Sequence, residues 1–485
     1  MKAKFFILFL LIVPIASLRA QTAATAQSAK IDSLMTLLYG RGQFTGSVLV
    51  ARKGKILYQK AFGLADRAKN TPFTPETGEY IGSISKQFTA MGIMILKDRG
   101  KLDYSQPIRQ FFPELPPFMQ EVTIRNLLYH TSGLAVFDDY PDMSEQDVFN
   151  ILLKQDRLHF KPGTKFEYCN AGYSLLGMII EKVSGQNFPD FMAQNIFKPL
   201  GMRNTHVNQI SHRDTSRATG YTLYGTVNNY DSFMGGNVSV ISTASDLCKW
   251  DEALYRFKLV QPQTLAEAFM PSAEVMKNPA LTRKDDLFGD KSYGFGWWIA
   301  MRNGAKDMFH DGGFSGYTAY NERITSDHID IIELTNLRGA PLYEIRTAIV
   351  NILEGWPYRL PKVPGSLWLS RETDKTAIDP AIARYRVLQK SANPDYDYAE
   401  NVLNSYAYIL LRSNKVAEAV KVFKLNTELY PNSFNVYDSL ADGYEKAGNI
   451  PLAIESCKKA LEINPANQDE KNRIKALEKV AGGQQ

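Results

Sequence analysis

Ser83-Ile84-Ser85-Lys86 is a stretch whose residue types could do covalent chemistry. Residues three apart share a face of a helix, so Ser83 and Lys86 can touch. A serine hydroxyl is a poor nucleophile until a neighbour takes its proton. A lysine held in a dry pocket loses solvation, its pKa falls, and it can then help with that transfer. Gly82 and Ser83 stand where a chain turns into a helix. A helix start offers unpaired backbone N–H groups and positive partial charge, the surroundings an oxyanion needs when a serine attacks a carbonyl. The pattern is weak by itself. It recurs at Ser456 to Lys459, which reads as a solvated helix face.

Two more stretches carry chemically competent residues. In Phe166-Glu167-Tyr168-Cys169-Asn170, Tyr168 follows Ser83 by 85 residues. A tyrosine between a lysine and a serine can relay protons, as base to the nucleophile and acid to the leaving group. Asn170 could hydrogen-bond a substrate amide. Tyr-x-Asn also recurs, at Tyr430-Pro431-Asn432. Phe309-His310-Asp311-Gly312-Gly313-Phe314-Ser315-Gly316 ends a strand and opens a glycine-rich turn. Gly312 and Gly313 are small enough for a substrate backbone to lie against that edge, and Gly313 could supply a second oxyanion N–H. Ser315 is a rival nucleophile, but the stretch from Gly313 to Tyr317 fails the Gly-x-Ser-x-Gly elbow at its last position. His130 beside Ser132 reads as a helix-ending turn rather than a catalytic pair. The six histidines are scattered, and His206 with His212 shows no metal-ligand spacing. No phosphate-binding glycine motif is present, so neither a metal nor a cofactor is expected.

Ser-x-x-Lys, then Tyr-x-Asn, then His-x-Gly, in this order, resembles the serine beta-lactamase-related family. That family includes class C beta-lactamases, D-alanyl-D-alanine carboxypeptidases, D-aminopeptidases and several esterases. Leu127-Leu128-Tyr129-His130-Thr131-Ser132-Gly133-Leu134, Pro199-Leu200-Gly201-Met202 and Tyr293-Gly294-Phe295-Gly296-Trp297 support the likeness, which covers roughly residues 30–355. It implies Ser83 as the nucleophile of an acyl-enzyme, with Lys86 and Tyr168 sharing the base and relay role. It also implies substrate contacts from Asn170, His310, Gly312 and Gly313, and an oxyanion hole from the Ser83 and Gly313 amides. His310 stands where many members carry the lysine of Lys-Thr-Gly. A neutral imidazole anchors a carboxylate less firmly than a fixed ammonium, which lowers the expectation of efficient beta-lactam hydrolysis.

The elements that must position these residues are legible in outline. Phe88 to Leu96 is apolar nearly all round, as in a central buried helix, and Gly100 is placed to cap it. Gly46 to Ala51 and Lys55 to Tyr58 read as a hairpin turned by Lys53-Gly54. Residues 107–250 read as mostly helical, with a helix from Arg125 to His130 and one capped at Thr243. Strands return at Gly294 to Ala300, Lys306 to His310, Tyr317 to Ile324 and Ile329 to Leu334. A helix from Pro341 to Leu353 closes the domain. Strands at both ends with helices between predict one antiparallel sheet made from both termini. The expected fold is α/β of the beta-lactamase/transpeptidase type, an antiparallel sheet flanked by helices plus an all-helical subdomain.

Residues 356–378 read as a linker rich in proline. Beyond it, Pro431 and Pro465 lie 34 residues apart. Leu403, Tyr406, Ala407, Leu410, Ala419 and Phe423 answer to Tyr437, Leu440, Ala441, Tyr444, Ala453 and Ala460. This resembles tetratricopeptide repeats and predicts an all-α domain over 379–482.

At 485 residues the chain is long enough for two or three domains. Its 44% hydrophobic and 22% charged residues describe an ordinary globular protein. Lys2 and Lys4 before an apolar run from Phe5 to Ala16, with residues 21–30 as spacer, predict an export signal over 1–20. Removing it takes three positive charges from the net +5 and leaves +2, which gives no support for nucleic-acid binding. No other run is long and apolar enough to span a membrane. Cys169, Cys248 and Cys457 are odd in number, against a disulfide framework. The sequence therefore predicts a periplasmic or secreted serine hydrolase acting on a small-molecule or peptide amide or ester, with a protein partner for the repeats. The alternative from another class is a retired hydrolase domain serving as a peptide- or protein-binding scaffold.

Overall fold

The computed structural model describes residues 15–137, 142–211, 213–271, 291–302 and 304–482. They form two compact units. The first holds the described residues through Thr222 together with Val227–Leu360, and the second holds Leu223–Thr226 and the described residues from Pro361 onward.

The first unit is built on a seven-stranded sheet. Strands β1 (Gly46–Arg52) and β2 (Lys55–Phe62) come early in the chain. Strands β3 (Lys291–Tyr293), β4 (Trp298–Arg302), β5 (Ala305–Phe314), β6 (Tyr317–Ile324) and β7 (Ile329–Thr335) come late. Their order is β2-β1-β7-β6-β5-β4-β3, with every pair antiparallel. Both ends of the domain thus share one sheet. Lys53 and Gly54 have φ of +51° and +72°, the left-handed pair that matches a two-residue hairpin to the strand twist.

The longer helices of this unit are α1 (Ile15–Gly40), α2 (Ser85–Asp98), α3 (Asn170–Ser184), α4 (Ala244–Tyr255) and α5 (Leu342–Glu354). Every residue of α2 from Ser85 to Leu96 is buried. The helix ends as its sequence predicts. Gly100, at φ +66°, donates to the Lys97 carbonyl, and Lys101 N–H donates to Leu96 O; together these satisfy carbonyls the helix leaves open. Thr243 caps α4 by accepting from Asp246 N–H.

Several expectations are corrected. Residues 21–30 are not a spacer but the middle of α1, since Ala and Gln favour helix and no Gly or Pro interrupts them. Of the expected export signal, residues 1–14 lie outside the described residues. Gly294 to Ala300 is not one strand. The chain turns at Gly294–Trp297, with Gly294 N–H donating to Trp297 O and Gly296 at φ +87°. A Cβ on Gly296 would lie 2.8 Å from the Lys86 carbonyl, so only glycine lets this turn approach α2. Among the described residues, 107–250 are less helical than expected, because those of 201–243 form loops and strands of two or three residues.

The second unit stacks seven helices: α6 (Gly365–Thr373), α7 (Ile378–Lys390), α8 (Glu400–Arg412), α9 (Val416–Leu429), α10 (Phe434–Lys446), α11 (Ile450–Ile463) and α12 (Gln468–Gly482). From α6 on, consecutive helices pack in the pairs α6–α7, α8–α9, α9–α10, α10–α11 and α11–α12, and α8 also touches α10. Helix α6 falls inside the expected 356–378 linker and buries Leu367 and Leu369. Of the 34-residue pattern, Tyr437 is only half-buried. Val436 is buried in its place, and Cys457, 34 residues after Phe423, is buried as well. All three cysteines are free. Among the described residues, no helix is long and apolar enough to cross a membrane.

Candidate active site

Gly82–Ile84 form a single 3-10 turn that leads into α2. Gly82 has φ +52°, and a Cβ there would lie 2.5 Å from Gly313 N. Gly312 packs its α-carbon against the Ile81 carbonyl, and Gly313 leaves its side-chain space to the Arg338 guanidinium. Gly82 and Gly312 therefore let β5 meet the Ser83 turn backbone against backbone. This sets the Gly313 amide beside Ser83.

Lys86 is fully buried. Its ammonium nitrogen donates to Ser83 Oγ at 3.0 Å and to the Asn237 carbonyl at 3.2 Å. It lies 5.0 Å from the centre of the Tyr168 ring and 5.7 Å from that of Tyr173. Ser83, Lys86 and Tyr168 thus come together from segments far apart in the chain.

Tyr168 is held by rings. His130 lies 4.2 Å from it, and Trp298 stacks on it at 6.4 Å with the planes 10° apart. His130 is buried, and its Nδ1 accepts from Cys169 N–H at 3.0 Å. Burial, then the Lys86 charge and His310, hold its pKa well below the usual histidine range. The ring is therefore neutral, with its proton on Nε2. His130 does not pair with Ser132, whose hydroxyl accepts from Leu134 N–H instead. Its place is beneath Tyr168.

His310 on β5 is also buried. Its Nδ1 lies 2.6 Å from the Asp311 carbonyl, and its Nε2 lies 3.0 Å from the Tyr293 hydroxyl. A carbonyl only accepts, so Nδ1 carries the proton and Tyr293 O–H donates to Nε2. Burial pushes its pKa down to about 4, against the opposing pull of Asp311. The ring is neutral at pH 7, with both nitrogens engaged inside the protein.

A cleft of about 450 Å³ opens over these groups. Ser83, Tyr168, His310, Gly312 and Gly313 line it, joined by Phe166, Trp298, Lys291, Asp311, Thr318 and Arg338. Lys86 sits behind Ser83. Asn170, which opens α3, contributes none of the lining. Ser315 donates to Asn228 O and accepts from Tyr230 N–H, so its hydroxyl is fully engaged away from Ser83. His206 pairs with Asp214 at 3.2 Å, and His212 lies outside the described residues. Lys291 and Arg338 escaped sequence reasoning. Lys291 lies 4.6 Å over the Trp298 ring, a contact across adjacent strands. Arg338 reaches the cleft only because Gly313 leaves room for it.

Comparison with known proteins decides the family. Residues 29–351 match the protein family described as Beta-lactamase. The chain belongs to the beta-lactamase family. It is a serine hydrolase of that family, which works through an acyl-enzyme. It is 32% identical over 389 residues to Penicillin-binding protein 4* of Bacillus subtilis (strain 168), covering 73% of this chain and 81% of the relative. The putative penicillin-binding protein PbpX of the same strain is 28% identical over 317 residues, covering 64% and 75%. The octameric penicillin-binding protein homologue from Pyrococcus abyssi is similar in structure at a TM-score of 0.60 and 28% identity, covering 70% of this chain and 81% of that one. A class C beta-lactamase shares the fold at a TM-score of 0.58 and 22% identity, over 69% of this chain and 97% of that one.

Proposed function

We propose that this beta-lactamase-family protein cleaves an amide or ester bond through an acyl-enzyme on Ser83. The observation that carries the proposal is the 3.0 Å contact between Lys86 and Ser83 Oγ, made where Lys86 has lost all contact with water. Lys86 and Tyr168 share removal of the Ser83 proton, and Oγ attacks the substrate carbonyl carbon. The Ser83 and Gly313 N–H groups hold the oxyanion. Collapse expels the leaving group, which takes a proton through Tyr168. Water then attacks the ester and restores Ser83.

Neutral His310 presents no ammonium to a substrate. The fixed cations of the cleft are Lys291 and Arg338, beside an aromatic wall of Phe166 and Trp298. This combination supports a substrate that carries a carboxylate and an apolar group, such as a D-amino-acid peptide or an acidic ester, with beta-lactams hydrolysed weakly. The 34-residue spacing of buried positions supports reading α8–α11 as two tetratricopeptide units that take a protein partner. The basic and apolar composition of residues 1–20 supports export to the periplasm or beyond.

Intact mass after mixing with a penicillin and, separately, with an activated ester tests the assignment. A single adduct, absent in Ser83→Ala, is expected. An adduct that persists in Ser83→Ala, or no adduct and no ester turnover in the wild type, overturns it.

A further inference from the structure

We propose that Glu252, His328 and Asp330 bind one divalent transition-metal ion of the zinc class, on the face of α4 turned away from the catalytic helix. The two faces are set by helical spacing. Trp250 Nε1–H donates to Gln87 Oε1 on α2 at 2.9 Å, and Glu252, two residues on, points the other way.

Three elements converge there. Glu252 comes from the last turns of α4, His328 from the turn between β6 and β7, and Asp330 from the start of β7. The β1–β2 turn closes the edge. Lys53 N–H donates to the His328 carbonyl at 2.7 Å, and a Cβ on Gly54 would lie 2.9 Å from Glu252 Oε2. One donor atom from each of Glu252, His328 and Asp330 lies within 4.8 Å of the other two. A single ion at about 2.0–2.2 Å from each nitrogen and oxygen ligand holds donors up to about 4.4 Å apart, so small side-chain adjustments bring the three onto one ion.

The carboxylate at the base of the cluster is what calls for a cation. Asp330 is fully buried, and neither of its oxygens has a hydrogen-bond partner. Asp251, beside Glu252, is equally buried. Its Oδ2 has no partner, and its Oδ1 receives only the Asn321 amide at 3.4 Å. Leaving such groups charged and unpaired is costly. The nearby cation, Arg323, does not neutralise them by contact. Its guanidinium lies 4.1 Å from the centre of the Tyr255 ring, and its Nε and Nη1 make no hydrogen bond. Arg256 touches Glu252 at 3.3 Å from the exposed side.

The donor set fits the ion. One imidazole and two carboxylates suit zinc, cobalt or manganese better than calcium, which prefers oxygen alone. His328 is aligned already. Its ring lies 3.7 Å from that of Tyr255, and its Nε2 is 2.6 Å from Glu252 Oε1. Glu252 and His328 keep side-chain exposures of 16% and 29%, which gives the ion an entry path. The ligands escaped sequence reasoning because Glu252 and His328 lie 76 residues apart.

The test uses tag-free full-length protein stripped with a chelator and titrated with Co²⁺, then Zn²⁺. One Co²⁺ per chain is expected, with visible ligand-field bands that Zn²⁺ abolishes and a rise in melting temperature. Asp330→Asn and His328→Ala should each weaken Co²⁺ at least about tenfold, with hydrolysis of an activated ester within twofold of wild type. Should Asp330→Asn lose ester activity through misfolding, His328→Ala, on an exposed turn, decides alone. No saturable one-equivalent site, or affinity unchanged in His328→Ala, overturns the proposal and leaves protons as the only cations on these carboxylates.

Discussion

Ser83 and Lys86 lie three residues apart, as do Ser456 and Lys459, yet the two pairs make opposite contacts. In α11, Ser456 donates its hydroxyl to the Leu452 carbonyl at 2.9 Å, and Lys459 turns outward to Glu462 at 2.8 Å with half its side chain exposed. A serine inside a regular helix always has the carbonyl four residues back within reach. Ser83 stands before α2 begins, in a 3-10 turn opened by a left-handed glycine, and its hydroxyl meets Lys86 instead. The two Tyr-x-Asn stretches divide in the same way. Tyr430 donates to the Tyr398 carbonyl, whereas Tyr168 faces the cleft over Lys86. Residue type sets what a group could do. The backbone that presents it, and the water it has lost, set what it does.

That contrast can be broken most sharply at the lysines. Lys86→Met should lower activated-ester turnover by about 10³-fold. Lys459→Met should leave turnover within twofold and stability within about 0.5 kcal/mol. Parallel kinetics and thermal melts would show whether the two losses really differ. Glycine gives the next effect. Gly448, at φ +73° with nothing near its missing side chain, should cost about 1–2 kcal/mol as alanine, through backbone strain alone. Gly82→Ala adds a collision with Gly313 N. We expect about 3 kcal/mol or more and slowed acylation in the folded fraction, read by urea unfolding and burst kinetics. Equal costs at the two sites would remove the close approach of β5 from the account.

The smallest effect separates dry from wet titration. An unfolded chain protonates its imidazoles near pH 6.5, whereas buried His310 resists until about pH 4. The unfolded state therefore binds more protons in that window, and stability falls as pH drops from about 6.5 to 4. Relative to His310→Gln, the wild type should lose about 1 kcal/mol between pH 7 and pH 5.5, with no difference in slope above pH 7. A parallel pair of melting curves across that range would remove His310 from the buried, neutral state described here.

What the sequence disclosed was local or periodic. The Lys53-Gly54 turn, the Gly100 cap, the all-round apolar α2 and the order of the three motifs each follow from neighbouring residues. What stayed hidden depends on register and packing across the chain. Gly294 and Gly296 lie in a stretch of strand-forming aromatics, and only the Ala268 carbonyl opposite the first and the Lys86 carbonyl opposite the second explain the turn. His130 read as a turn residue, which it is, but its contact with Tyr168 comes from folding two loops together. Arg338 enters the cleft through a space that Gly313 leaves, which no local pattern encodes. Val436 rather than Tyr437 is buried at the start of α10, although Leu440, Ala441 and Tyr444 keep the expected inward register.

Strand β1 pairs on one side with β2, its immediate neighbour in the chain, and on the other with β7, near the end of the domain. During synthesis the β1–β2 hairpin emerges early and then waits, one edge open, until almost the whole domain has been made. Such distant pairing slows folding, and an open edge beside apolar strand residues invites joining to another chain. The seam between β1 and β7 is thus where assembly of this domain is completed. A chain cut short before Ile329 would lose the central partner of its sheet, and its soluble yield should fall far more than loss of one strand at the rim would cause.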